Sequence, residues 1–150
     1  MEKAEILKRL APCGLHCGKC FAYRGGEIGQ NSKQLKQALG NFDAYADRFV
    51  DLLNEPVFSK YTDFKELLSY LSNPQCRGCR SDACKLFTAC KVKDCAPAKN
   101  VDFCFECVEF PCNKTGFDKH LHERSVAINR RIEEIGMEQY YKEIKDKSRY

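Results

Sequence analysis

Residues 76–112 read CRGCRSDACKLFTACKVKDCAPAKNVDFCFECVEFPC and hold eight of the chain's eleven cysteines. Cys76 and Cys79, and again Cys104 and Cys107, stand at C-x-x-C spacing, at which two thiolates face one cation across a tight turn. In Cys76-Arg77-Gly78-Cys79 the glycine takes a positive-φ position cheaply, and a knuckle of this kind turns its backbone amides toward sulfur. Cys84, Cys90 and Cys95 lie between the pairs at longer intervals, and Cys112 follows Pro111. Eight thiols satisfy two tetrahedral sites of four ligands each. A sequential division gives Cys76, Cys79, Cys84 and Cys90 to one ion and Cys95, Cys104, Cys107 and Cys112 to the other. A crossed division joins the two C-x-x-C pairs, zinc-ribbon fashion, and leaves Cys84, Cys90, Cys95 and Cys112 together. Spacing alone leaves both open.

The same region has few large aliphatic side chains, chiefly Leu86, Val92, Val101 and Val108, so hydrophobic burial alone gives it a thin core. Structural zinc contributes about 10–16 kcal/mol to a small unit, against a usual domain stability of about 5–15 kcal/mol. Disulfides are the rival use of dense cysteine. Against them, the cysteine count is odd, the opening MEKAEILKRLAPCG lacks the apolar stretch of a secretory signal, and no run is apolar enough for a membrane span. The expected setting is cytoplasmic, where thiols stay free to bind metal.

Before this region, APCGLHCGKCFAY at residues 11–23 brings Cys13, Cys17 and Cys20 within eight residues. A fourth ligand would come from His16, His120, His122, a carboxylate, water or a cysteine of the later segment, so the expectation is two or three zinc ions in all. The spacing C-x-x-x-C-x-x-C is also that of radical S-adenosylmethionine enzymes, but Lys19 stands where those enzymes carry an aromatic. A chain of 150 residues with a cysteine-free helical middle cannot form their large barrel. An iron–sulfur cluster on thiolates remains the alternative cofactor, for redox or electron transfer, because ligand softness does not separate it from zinc. Cys17-Gly18-Lys19-Cys20 as a redox dithiol, with Lys19 lowering a thiol pKa, lacks the preceding apolar strand of such units. Gly25, Gly26 and Gly29 read as a surface turn, since no strand precedes them and no phosphate-loop Lys-Ser/Thr pair follows.

The rest is helical in pattern. Phe42, Tyr45, Ala46, Phe49, Leu52 and Leu53 recur at three- and four-residue steps before Pro56. Phe64, Leu67, Leu68 and Leu71 repeat the pattern, with Thr62 as an expected N-cap and Asn73-Pro74 as a breaker. Both stripes are expected to be core. Leu121, Ile128, Ile132 and Ile135 share a later helical face that Gly136 stops, and Met137, Tyr140, Tyr141 and Ile144 continue beyond it. The chain therefore divides into an N-terminal cysteine loop (1–30), a helical block (31–72), a cysteine-rich metal segment (73–115) and a helical tail (116–150), all within one domain. The fold class expected is a small, mainly α, metal-stabilised domain in which helices flank a cysteine-rich segment of loops or a short hairpin.

The net charge of +4 comes from 25 basic and 21 acidic residues that interleave along the chain. The tail cations Lys142, Lys145, Lys147 and Arg149, broken by Glu143 and Asp146, read as a solvated helix end. With Phe103, Phe105 and Phe110 as the only candidate base-stackers and no cationic stripe, nucleic acid is not the expected partner. No Ser-His-Asp or paired-carboxylate arrangement is legible, and Glu106, Glu109, Glu133 and Glu134 read as solvated charges. The sequence thus favours binding, with a protein as a candidate partner, over catalysis.

The ordered strings APCGLHCGKCFAY, CRGCRSDACKLFTACKVKDCA, VDFCFECVEFPCNK and RRIEEIG together resemble a prokaryotic cysteine-rich family of unknown function, numbered 3795. The resemblance implies a small cytosolic metal-binding protein and marks Cys13, Cys17, Cys20, Cys76, Cys79, Cys84, Cys90, Cys95, Cys104, Cys107 and Cys112 as its metal-binding positions. His16 stands where members of that family often carry Tyr. The resemblance implies no reaction.

Overall fold

The apolar face of residues 121–135 becomes α6 (Lys119–Ile135), the longest helix of the computed structural model, which describes residues 1–81, 84 and 86–150. Asp118 caps it by accepting from the Leu121 N–H at 2.8 Å, and Gly136, at φ +81°, ends it. Only glycine takes that conformation without strain, so the chain turns there into α7 (Met137–Ile144). The opening segment forms α1 (Lys3–Arg9), which packs on α7. Ile6, Leu10, Phe103, Ile132, Tyr140 and Tyr141 make the main core where these three helices meet the turn at residues 103–106.

Residues 27–71 form a separate layer: α2 (Glu27–Leu39), α3 (Asp43–Leu52), a 3₁₀ turn at Pro56–Lys60 and α4 (Tyr61–Leu71). Pro56 starts that turn, and α4 stops ahead of Asn73-Pro74. Thr62 is not the cap of α4. The helix begins one residue earlier, and Lys60 precedes it without a side-chain cap. The stripes expected to be core are mostly not buried. Ala46 and Leu68 are enclosed, whereas Tyr45, Leu52, Leu53, Phe64 and Leu67 are exposed. Phe42, Phe49, Phe58 and Tyr61 pack on one another, with ring centroids 5.0–6.1 Å apart among the pairs that Phe42 makes. Three short helices around that aromatic knot have too little interior to enclose a second row of side chains.

Gly26 and Gly29 also depart from the surface turn expected of them. A Cβ on Gly29 would stand 2.6 Å from Pro74 Cγ, and one on Gly26 would stand 3.1 Å from the Gly18 carbonyl oxygen. These glycines let α2 seat closely on the cysteine loop and on the chain entering Cys76. Gly25, at φ +89° with nothing near it, is the surface turn.

The cysteine-rich segment consists of turns and short helices: a 3₁₀ turn at Cys79–Ser81, α5 (Val92–Ala98) and a 3₁₀ turn at Cys104–Glu106. Among the described residues there is no strand. Two isolated bridges, Leu10 with His16 and Tyr23 with Cys76, tie the loops. The described residues therefore fold as a mainly α structure, and none of their helices is long and apolar enough to cross a membrane.

Candidate metal centre

Backbone contacts pull the N-terminal loop onto the later cysteines. Cys76 N–H donates to the Ala22 carbonyl at 2.9 Å, Arg24 N–H donates to the Cys76 carbonyl at 2.7 Å, and Cys104 N–H donates to the Pro12 carbonyl at 3.0 Å. Two buried polar residues of α6 fix the same loops. Ser125 Oγ donates to the Cys13 carbonyl at 3.1 Å, and Asn129 Oδ1 accepts from the Phe105 N–H at 3.0 Å. Ala on Gly14 could not follow this path, because its Cβ would lie 2.2 Å from Ile128 Cγ2 on α6.

The eleven thiols sort into two pockets. Cys95, Cys104, Cys107 and Cys112 line one, with Lys99 and His122 at its wall. Cys13, Cys17, Cys20, Cys76, Cys79, Cys84 and Cys90 line the other, a basin walled by Tyr23, Phe117 and Arg149. Cys76, Cys79, Cys84 and Cys90 thus line the same pocket as the N-terminal three thiols, apart from Cys95, Cys104, Cys107 and Cys112. No cysteine is in a disulfide.

Around Cys76 the knuckle has the form its sequence dictates. Gly78 sits at φ +97°, and its N–H points at Cys76 Sγ at 3.4 Å. Within the basin Cys79 hydrogen-bonds to Cys17. That bond, aided by the nearby Arg149 and Arg80 and opposed by burial, holds Cys17 below the usual thiol range, whereas the same bond together with burial raises Cys79. Burial pushes Cys84 up, but the Phe87 and Leu86 N–H groups and the Cys79 and Cys76 thiols together bring it below its ordinary value. Burial pushes the Cys13 thiol up to about 12, and the Cys104 thiol likewise to about 12, with the neighbouring thiols adding to both. Buried thiols of this kind carry charge only where a cation compensates it, which is the chemistry of an all-sulfur ligand set. Among the described residues no three His, Cys, Asp or Glu side chains are grouped as a metal site. In number and donor type the four-thiol pocket matches one tetrahedral ion.

The histidines divide. His122 stands at the four-thiol pocket. His16 lines neither pocket but lies against Tyr141, ring centroids 5.5 Å apart, and burial, with Lys19 and Arg9 nearby, lowers its pKa to about 4. Lys19 pairs with Glu27 at 2.9 Å. The charges read as solvated have specific partners in three places, one of them Glu134, which pairs with Arg131 at 2.9 Å. Glu106 Oε2 accepts from the Asp102 N–H at 2.7 Å, and Glu109 pairs with Lys99 and Lys114. Lys99 Nζ also donates to Cys107 Sγ at 3.3 Å.

Sequence reasoning missed two cations. Arg80 is held by the Leu10 carbonyl at 2.8 Å and the Asp102 carbonyl at 2.6 Å, with its guanidinium 5.2 Å from the Phe103 ring centroid. Arg149 is no solvated helix end: it reaches the basin, and its Nη1 donates to the His16 carbonyl at 3.0 Å. The next residue, Tyr150, places its hydroxyl 3.8 Å from Cys20 Sγ. Alternating charge at residues 142–149 carries no signal for this, because the contact spans 133 positions.

A helical scaffold holding two pockets of thiols is the class that this architecture defines. The family model described as protein of unknown function (DUF3795) matches residues 9–117, from the end of α1 to the residue before the α6 cap, and the chain belongs to that family. The match ends before α6, so the RRIEEIG string lies outside it. No curated protein and no solved structure matches the chain.

Proposed function

We propose that this chain is a cytoplasmic zinc-binding protein whose thiolate sites organise the fold and, with it, a surface for a protein partner. The observation that carries the reading is the sorting of all eleven cysteines into two pockets, one with the four thiols a tetrahedral ion requires. Cys95, Cys104, Cys107 and Cys112 would hold one ion, and the basin would hold one or two more. Zinc would supply coordination bonds in place of hydrophobic burial, and the chain's own residues orient the sulfurs. The Gly78 knuckle aims an amide at Cys76, Lys99 neutralises Cys107, and Asn129 and Ser125 anchor the loops.

An iron–sulfur centre is the second reading, favoured by a donor set made wholly of thiols. Elemental analysis of anaerobically purified protein, with acid-labile sulfide measured on the same sample, separates the two. The expected result is a colourless protein with two or three equivalents of zinc and no labile sulfide, whose fold around residues 76–112 is lost on strong chelation. Metal-free protein with unchanged near-UV and far-UV spectra would overturn the proposal.

A further inference from the structure

We propose that residues 145–150, which follow α7, form a strap that closes the seven-thiol basin and sets how fast metal and thiol reagents reach its sulfurs. The passage of metal rests on the metal–thiolate reading above, whereas closure over the thiols does not.

The strap brackets the turn that carries Cys17 and Cys20. On the near side of that turn Arg149 Nη1 donates to the His16 carbonyl at 3.0 Å, and on the far side the Tyr150 hydroxyl accepts from the Phe21 N–H at 3.4 Å. The same hydroxyl stands 3.8 Å from Cys20 Sγ, and the Tyr150 and Phe21 ring centroids are 6.5 Å apart. From α6, Arg124 Nη2 donates to the Arg149 carbonyl at 2.6 Å and ties the strap to the scaffold. The Arg149 side chain thereby forms part of the basin wall, and Cys17 and Cys20 are both buried.

The hold is shallow. Residues 145–148 and Tyr150 are exposed, and no residue of the strap belongs to either buried apolar cluster. Closure rests chiefly on polar bonds that water can replace. Arg149 Nε is moreover buried with no hydrogen-bond partner, which disfavours the closed position and which opening relieves. A segment held in this way opens at lower cost than the packed helices beneath it. The four-thiol pocket has no such cover, since none of residues 145–150 lines it. The two pockets therefore differ in access.

The test is timed alkylation of the purified full chain with N-ethylmaleimide, each cysteine being followed by peptide mass spectrometry and zinc measured on the same sample. Arg124→Ala and Arg149→Ala each remove one tie, and each should raise the rates at Cys17 and Cys20 about tenfold, the effect of losing one charged hydrogen bond. Rates at Cys95, Cys104, Cys107 and Cys112 should not change. Tyr150→Ala, which alters an exposed side chain, should act mainly on Cys20. Zinc release from the basin to a chelator should quicken in the same variants. Unchanged rates at Cys17 and Cys20, or equal acceleration in both pockets for Tyr150→Ala as well as for the arginine variants, would overturn the strap and leave the zinc reading standing. A sample without zinc whose Cys17 and Cys20 still respond to the variants would support the strap and defeat the metal reading alone.

Discussion

The side-chain oxygen of Asn129, fully buried on α6, accepts a hydrogen bond at 3.0 Å from the backbone N–H of Phe105, inside the turn that carries Cys104 and Cys107. The same helix reaches the other cysteine loop through Ser125, which donates to the Cys13 carbonyl at 3.1 Å. One helix therefore sets the separation of the two thiol pockets. Asn129→Ala leaves the half-buried Phe105 N–H without its acceptor, and Ser125→Ala leaves the buried Cys13 carbonyl without its donor. Each should destabilise the metal-loaded protein by about 1–3 kcal/mol. Thermal unfolding of both variants at equal zinc content checks the losses, and unchanged stability in either would contradict the anchoring role.

Gly14 and Ile128 form a steric pair. Gly14 has φ +86°, and a Cβ there would overlap Ile128 Cγ2 at 2.2 Å, whereas Gly25 has φ +89° with nothing within 4 Å. Gly25→Ala should therefore show backbone strain alone, about 1–2 kcal/mol, while Gly14→Ala should cost about 1–3 kcal/mol more through overpacking. Adding Ile128→Ala to Gly14→Ala should recover part of that excess, with a coupling of about 0.5–3 kcal/mol in a double-mutant cycle. Strict additivity would show that α6 does not press on the Cys13 loop.

The cysteine-rich segment buries Phe103 in the main core and Val92 in a second cluster. Phe103 is 2 % exposed within the main core, whereas Val108 is fully exposed at 101 %. Phe103→Ala should cost about 3–5 kcal/mol, and Val108→Ala should stay within about 0.5 kcal/mol of the parent. Denaturant titration at fixed zinc measures both.

These residues also show what the sequence could reveal. Gly78 between Cys76 and Cys79 and Gly136 after the 121–135 stripe are local signals, because a positive-φ requirement is written into the residue itself. The helical period of residues 42–71 was equally legible, but burial was not. Periodicity reports a helix face without saying whether anything covers it, and Tyr45, Leu52 and Leu67 remain exposed. The sorting of thiols depends on where α6 and the N-terminal loop dock, through contacts such as Ser125 to Cys13 that span 112 positions. No spacing rule encodes a contact of that range. The roles of Arg80 and Arg149 were hidden for the same reason.

Lys99 links the four-thiol pocket to surface charge, donating to Cys107 Sγ at 3.3 Å while pairing with Glu109. If zinc occupies that pocket, Lys99→Ala removes a cation from beside a ligand, and zinc affinity there should fall by about tenfold. Competition with a chromophoric chelator, with Lys147→Ala as an exposed control, provides the reading. Equal affinities in the two variants would contradict a role for Lys99.

X-ray absorption at the zinc edge, on full-length protein purified without oxygen, tests the use of these sulfurs most directly. The prediction is a first shell of four sulfurs at about 2.3 Å around each zinc. A shell dominated by nitrogen or oxygen, or a folded protein with no zinc and its cysteines free or joined as disulfides, would contradict it.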